Sequence, residues 1–199
     1  MVGEPIPRVV TLPTDEEFHA AFVIYAAAVG KVAHSWNFLH ERLGGLFADV
    51  TGMDRNIALA IWYSTESDRS QDNMLKAAIA ASPDDRWLPR LPNAKAELLW
   101  MIERVINLAE ARNNAIHAPC SFVIDSGSHQ MAASIFSGHK RAKNLLGKKL
   151  LEEFEWCERR AEALSRFADR ASTALRFERY PWPERPALPT RGQKKVLPD

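Results

Sequence analysis

Twelve prolines punctuate the 199 residues, and they fall in four places: Pro5, Pro7 and Pro13 at the start, Pro83, Pro89 and Pro92 in the middle, Pro119 alone, and Pro181, Pro183, Pro186, Pro189 and Pro198 at the end. Proline lacks the backbone donor and its ring clashes with the carbonyl one turn back, so helix interiors exclude it. The proline-free stretches 14–82, 93–118 and 120–180 are therefore where long helices can run. With 46% hydrophobic residues the chain has apolar material for one sizeable core. The expectation is an all-α fold.

The pattern inside those stretches supports it. Thr14-Asp15-Glu16-Glu17 fits a capping box, with a hydroxyl at the cap and a carboxylate three residues on. The apolar series Phe18, Phe22, Tyr25, Val29, Val32, Trp36, Leu39, Leu43, Leu46, Val50 then steps by four and three, which keeps one stripe of a long helix facing a partner. The Gly44-Gly45 pair inside it needs a packing reason, and close helix contact supplies one. Asp54 can cap a short helix through Ser64, and residues 64–67 make a polar joint before another helix ending near Ala81. After a loop at 82–92, Asn93 can cap a helix with the stripe Leu98, Ile102, Val105, Ala109, Ile116, interrupted at its expected place by Arg112. That helix should stop near His117, because Ala118 precedes Pro119 and is pushed out of the α region. Residues 121–136 place Phe122-Val123-Ile124 and Ile135-Phe136 around Asp125-Ser126-Gly127-Ser128, the pattern of a small hairpin or ordered loop. A last long helix carries Leu150, Phe154, Cys157, Ala161, Leu164, Ala168, Ala171 and Leu175 and is the partner the first helix needs.

The resulting expectation is an up-and-down helical bundle over 14–180, with two long helices and three shorter ones. An N-terminal extension covers 1–13. Five prolines and Lys194-Lys195 leave little in 181–199 to pack, so an extended or disordered tail is expected there.

Composition removes several function classes. The longest apolar run, 20–30, is about half of the roughly 20 residues a membrane span requires, and no basic-then-apolar leader opens the sequence, so a cytoplasmic protein without membrane attachment is expected. Cys120 and Cys157 have neither the number nor the spacing of a disulfide framework or zinc site. His34 and His40 are badly spaced for one metal on a helix, and His19 and His129 lack an acidic or cysteine cluster, so no metal and no cofactor are expected. The phosphate-cradling glycine loops, the nucleophile elbow and the His-Glu-x-x-His helix are all absent.

One constellation remains, in the run Glu110-Ala111-Arg112-Asn113-Asn114-Ala115-Ile116-His117. At about 100° per residue, Glu110, Asn113, Asn114 and His117 share one helix face, while Arg112 points about 140° away from His117. One helix alone cannot close Arg112 and His117 around a small group; two copies in a symmetric dimer could enclose a cleft with an arginine, an asparagine and a histidine from each side. The arginine offers a permanent charge and a fork of donors to a phosphate, and the histidine titrates near neutrality and can move a proton. Its place at a helix C-terminus favours the imidazolium.

Arg-Asn-x-x-x-His near the end of a long helix, in an all-α chain of this size, resembles the HEPN superfamily. The matching residues cover six positions, and the helix order matches loosely over 14–180. A bare arginine-to-histidine spacing carries little information in a chain with six histidines; the asparagine and the helix-end location sharpen it. The resemblance implies a homodimeric helical bundle that cleaves RNA without a metal, by attack of the RNA's own 2′-hydroxyl. It implies Arg112 and His117 as the catalytic pair, with Asn113 the polar residue after the arginine and Glu110 and Asn114 in support. It also implies a setting in toxin–antitoxin, phage-defence or RNA-processing systems, with an antitoxin or other protein as partner.

A second feature is the basic stretch His139, Lys140, Arg141, Lys143, Lys148, Lys149, which no acid interrupts. The net charge is +1, and with those five Lys and Arg set aside, 21 basic residues face 25 acidic ones. Such a segment could guide an RNA backbone toward the site, or be a solvated helix start. Trp62-Tyr63, Trp87 and Trp100 could stack on bases or fill the core. The alternative to a nuclease is a non-catalytic dimerisation or binding module for a nucleotide, nucleic acid or partner protein. In that case Arg112 pairs with a neighbouring helix and His117 serves as a C-terminal cap.

Overall fold

A computed structural model describes residues 13–83, 85–87, 89–125, 128–134 and 138–192. Its spine is α1 (Asp15–Thr51), 37 residues long. The capping box closes as expected: the Glu17 amide donates to Thr14 Oγ1 at 3.2 Å, and the Thr14 amide donates to Glu17 Oε2 at 2.8 Å. At the other end Gly52 takes φ 69°, a left-handed conformation that glycine adopts without penalty, and its amide closes on Ala48 O.

The chain then steps back and forth. Helix α2 (Arg55–Tyr63) is capped by Asp54 Oδ1, which accepts from the amides of Asn56 and Ile57. It returns along α1, where a Cβ on Gly44 would lie 3.0 Å from Trp62 Cδ1. Close helix contact is thus the reason for that glycine. Helix α3 (Asp68–Ala81) starts at Ser67, whose hydroxyl accepts from the Ser70 amide. Helix α4 (Ala94–His117) is preceded by Asn93, but that side chain makes no capping bond. The expected cap is corrected here: the backbone of Asn93 lies near φ −103°, ψ 1°, outside the extended region that aims a cap oxygen at the first-turn amides. The helix ends at His117, and Ala118, before Pro119, is extended at ψ 130°.

Strands β1 (Cys120–Asp125) and β2 (Ser128–Ala133) pair antiparallel, with Cys120 opposite Ala133 and Asp125 opposite Ser128. The expected hairpin is present, and residues 126, 127 and 135–137 lie outside the described set. A single helical turn, α5 (Lys140–Lys143), follows; it is too short to leave a periodic signature. Helix α6 (Leu150–Arg176) completes the bundle.

Helices α1 and α6 run parallel. Tyr25 faces Phe154 at 5.8 Å between ring centroids, Arg42 lies 3.5 Å from Asp169, and Ser172 donates to Asp49. Helix α4 runs the other way, bringing Arg112 over Trp36 while Cys120 beyond its end accepts from the Tyr25 hydroxyl. The core between them includes Trp36, Leu39, Leu43, Trp62, Leu98, Ile102, Phe154 and Leu164, all at 1% exposure or less. The expected α6 stripe is buried from Leu150 to Ala171. The α1 stripe is buried only from Val32 onward; Phe18 and Phe22 are 45% and 44% exposed. Phe18 packs on the hairpin through Phe122, at 5.5 Å between centroids.

The expectation that little beyond Pro181 would pack is corrected for residues 181–192. They run without helix or strand across α6 and the start of α4, and Trp182 sets its ring edge-on to Phe167 at 6.3 Å. The carbonyl of Pro189 accepts from Trp156 Nε1 at 3.0 Å and from Arg160 Nη1 at 3.1 Å. Arg185 pairs with Glu97 at 2.6 Å, and Arg191 with Glu153 at 2.9 Å. Proline forbids helix here but not burial: Pro189 itself is buried. Residues 193–199, including Lys194 and Lys195, lie outside the described set, as do residues 1–12.

Candidate functional site

The C-terminal half of α4 carries the constellation, and the structure separates its two ends. Arg112 points toward α1 and α3. Its guanidinium lies 5.7 Å above the Trp36 ring, Nη2 is 3.6 Å from Asp68 Oδ2, and Nη1 donates to Asn113 Oδ1 at 2.9 Å. Asp68 opens α3, where the helix dipole favours a carboxylate, and its Oδ2 also accepts from Trp36 Nε1 at 2.8 Å. The Nε of Arg112 is buried without a partner. His117, at the end of the helix, is exposed and has no hydrogen bond or ion pair among the described residues. Within one chain, then, Arg112 meets Asp68 and Asn113, not His117.

Five of the expected residues do share one surface. A cavity of about 600 Å³ opens between the start of α3, the end of α4 and the α5 turn. Glu110, Asn113 and Asn114 line it from α4, Asp68 and Asp72 from α3, and Lys140 and Arg141 from α5. Its α4 lining stops at Asn114, and His117 lies about one turn further along the helix. Asn144 closes one side, donating to Glu110 Oε1 at 3.2 Å and to Asn114 Oδ1 at 3.4 Å.

The basic stretch does not form one face. Lys140 and Arg141 reach this cavity, and Lys143 is exposed next to them. Lys148 lines a neighbouring cavity and pairs with Glu153 at 3.6 Å, while Lys149 pairs with Glu152 at 3.0 Å beside the hairpin.

Behind Asp68 lies a buried polar group that sequence reasoning missed. His40 Nδ1 meets Gln71 Oε1 at 3.1 Å, and its Nε2 is 3.8 Å from Asp72 Oδ1. That separation is too long for a hydrogen bond, and neither atom has another partner. Burial, reinforced by the nearby Asp68 charge, pushes the Asp72 carboxyl up to about 7. Burial also pulls the His40 imidazole below its usual range, against the pull of Asp68 and the Gln71 hydrogen bond. Both groups therefore tend to their neutral forms, and the contact is not a buried ion pair. The available signal was the i, i+4 spacing of Asp68 and Asp72 on a helix whose other face is apolar.

The tryptophans singled out as base-stacking candidates are core. Trp62 is fully buried, Trp100 packs edge-on against Phe167 at 5.7 Å, and Trp87 packs partly buried on the core. Tyr63 is exposed, and the indole that lines the cavity is Trp36.

Chemically the cleft offers fixed carboxamides, three cations, Arg69, Lys140 and Arg141, and three carboxylates, Asp68, Asp72 and Glu110, of which Asp68 is already shared between an indole and a guanidinium. Among the described residues no group of three His, Cys, Asp or Glu is placed to hold a metal ion, and no helix is long and apolar enough to cross a membrane. No protein-family model matches the chain, and no curated protein and no solved structure matches it.

Proposed function

We propose that the chain is a metal-independent endoribonuclease of the HEPN type, whose centre is completed by a second copy. The observation that carries this reading is the placement of His117. Among the described residues its side chain sits exposed and unpartnered at the end of a long helix, beside a cleft lined by Asn113, Lys140 and Arg141. A titratable side chain in that position is free to meet a phosphodiester. The roughly 140° between Arg112 and His117 on one helix is why a second α4 is required. In this scheme the cations hold the phosphate, and the 2′-oxygen of RNA attacks phosphorus as its proton passes to solvent water. The 5′-oxygen leaves with a proton from His117, giving a 2′,3′-cyclic phosphate and a 5′-hydroxyl end.

A specific observation favours the second reading, a non-catalytic binding module. Asp68 and Asn113 already occupy the Arg112 guanidinium within the monomer. Incubation of the protein with structured and unstructured RNA in EDTA separates the two. The ribonuclease reading expects cleavage that His117→Ala and Arg112→Ala each abolish. Cleavage that is absent, needs metal, or survives both substitutions overturns it.

A further inference from the structure

On the far side of Asn144 lies a second cavity, of about 390 Å³, in which positive charge predominates. Four cations from four parts of the chain line it: Arg104 from α4, Lys148 from the turn before α6, Arg160 from α6, and Arg191 from the C-terminal segment. Asn107 and Asn114 add carboxamide donors on the α4 wall. Glu110 lines the same space, and Glu153 at its edge pairs with Lys148 and Arg191. Four cations against these two carboxylates leave an excess of two positive charges. Arg104 and Arg160 pair with no carboxylate among the described residues.

Like charges held together cost stability unless something compensates them. Arg160 shows this cost: among the described residues its Nε is buried without a partner, while Nη1 donates to the Pro189 carbonyl. Burial first, then repulsion by Arg104 and Arg191, pulls its guanidinium below the usual range. The Trp156 ring is occupied, with Arg191 at 4.1 Å and Arg160 at 5.2 Å from its centroid, so it helps hold the cations in place and is not a stacking platform for a base. Guanidinium forks match the oxygens of phosphoryl groups, two adjoining phosphoryl groups carry the charge this pocket lacks, and an aromatic support keeps the forks from collapsing.

We propose that this cavity is a binding site for an oligophosphate, a diphosphate or triphosphate group, distinct from the Asn113-lined cleft but sharing the Glu110, Asn114 and Asn144 wall with it. The group could belong to a free nucleotide or to the 5′-triphosphate end of an RNA; the pocket's chemistry reads the phosphates in either case. The exposed rim at Asn107 and Arg191 lets the rest of such a ligand project outward.

The test is equilibrium binding to full-length His117→Ala protein, so that cleavage plays no part in the readout. Calorimetric titrations use tripolyphosphate, ATP, 5′-triphosphate RNA and the same RNA with a 5′-hydroxyl end. Saturable binding of at least one triphosphate ligand is expected, with the triphosphate RNA bound more tightly than its 5′-hydroxyl counterpart. Arg104→Gln should weaken it by about tenfold, the loss of one charge-assisted contact, and Lys148→Gln should weaken it as well. Arg166→Gln, on another face of α6, should leave it unchanged. Binding by ATP alone assigns the pocket to a free nucleotide, and binding by triphosphate RNA alone assigns it to an RNA end. The proposal is overturned by the absence of saturable binding up to about 1 mM in the folded protein. It is also overturned if neither Arg104→Gln nor Lys148→Gln weakens binding, or if the 5′-hydroxyl RNA binds as tightly as every triphosphate ligand.

Discussion

The Asp68 carboxylate stands 3.6 Å from the Arg112 guanidinium, on a different helix, while holding the Trp36 indole at 2.8 Å. One oxygen therefore decides how available Arg112 is to a phosphate. Asp68→Asn keeps an acceptor for the indole and removes the charge. The pair is partly exposed, so the loss of stability should stay under about 1 kcal/mol. Affinity for RNA, read by fluorescence anisotropy, should rise several-fold because the competing carboxylate is gone. An unchanged affinity would mean that Arg112 makes no phosphate contact.

If each cleft needs groups from two copies, inactive variants should rescue one another. Arg112→Ala and His117→Ala, each silent alone, are mixed, unfolded together and refolded. Random pairing then leaves on the order of a quarter of wild-type cleavage, since half the dimers are mixed and each keeps one intact combination. Light scattering on the same samples must show a dimer. No recovery in a dimeric mixture argues against a composite centre.

The raised Asp72 carboxyl makes stability depend on pH with a definite sign. Its folded pKa, about 7, lies above the ordinary value of 3.8, so the folded state holds a proton that the unfolded chain releases. The folded state therefore loses ground as pH rises from about 4 to about 7. Asp72→Asn removes the ionisation, and its gain in thermal stability over the wild type should be larger at pH 8 than at pH 5, by on the order of 1–2 kcal/mol. An equal effect at both pH values would contradict the assignment.

Two glycines in one helix should respond oppositely to the same change. A Cβ at Gly30 meets nothing within 4 Å, so Gly30→Ala should stabilise by about 0.5–1 kcal/mol. A Cβ at Gly44 would crowd Trp62 Cδ1 and Nε1 at 3.0 and 3.1 Å, and that indole is fully buried and cannot move aside. Gly44→Ala should therefore destabilise by about 1 kcal/mol or more despite its better helix propensity. Chemical denaturation of both variants reads the signs directly.

Trp182 tests the packing of the C-terminal segment. Removing its ring from Phe167 should cost about 2 kcal/mol by Trp182→Ala, below the roughly 3–5 kcal/mol of a fully buried large aromatic because the ring is only half buried. A variant as stable as the wild type would show that the segment does not bear on the core.

The helical framework was legible because its signals are local. The capping box at Thr14, the cap at Asp54 and the stop imposed on Ala118 by Pro119 each act within one turn, and the four-and-three stripes need only the next turn to be read. Interactions between distant residues left no such mark. Nothing near Arg112 says that Asp68 will face it, and Arg104, Arg160 and Arg191 carry no mark in their own segments; of that cavity's four cations only Lys148 lay in the basic stretch. The tail misled for a related reason. Its prolines correctly excluded helix, but the Pro189 carbonyl finds its donors on α6, a relation that composition does not record.

That carbonyl also has a consequence for biosynthesis. Residues 181–192 follow every described helix of the bundle in chain order, so they are the last of the described residues to reach the core during synthesis. Until the segment arrives, the Trp156 indole and the Arg160 guanidinium lack their shared acceptor and Phe167 lacks the ring that covers it. A released chain that lacks residues 181–192 thus uncovers Phe167 and leaves Trp156 and Arg160 without their acceptor, an aromatic patch beside charged groups that invites non-native contacts.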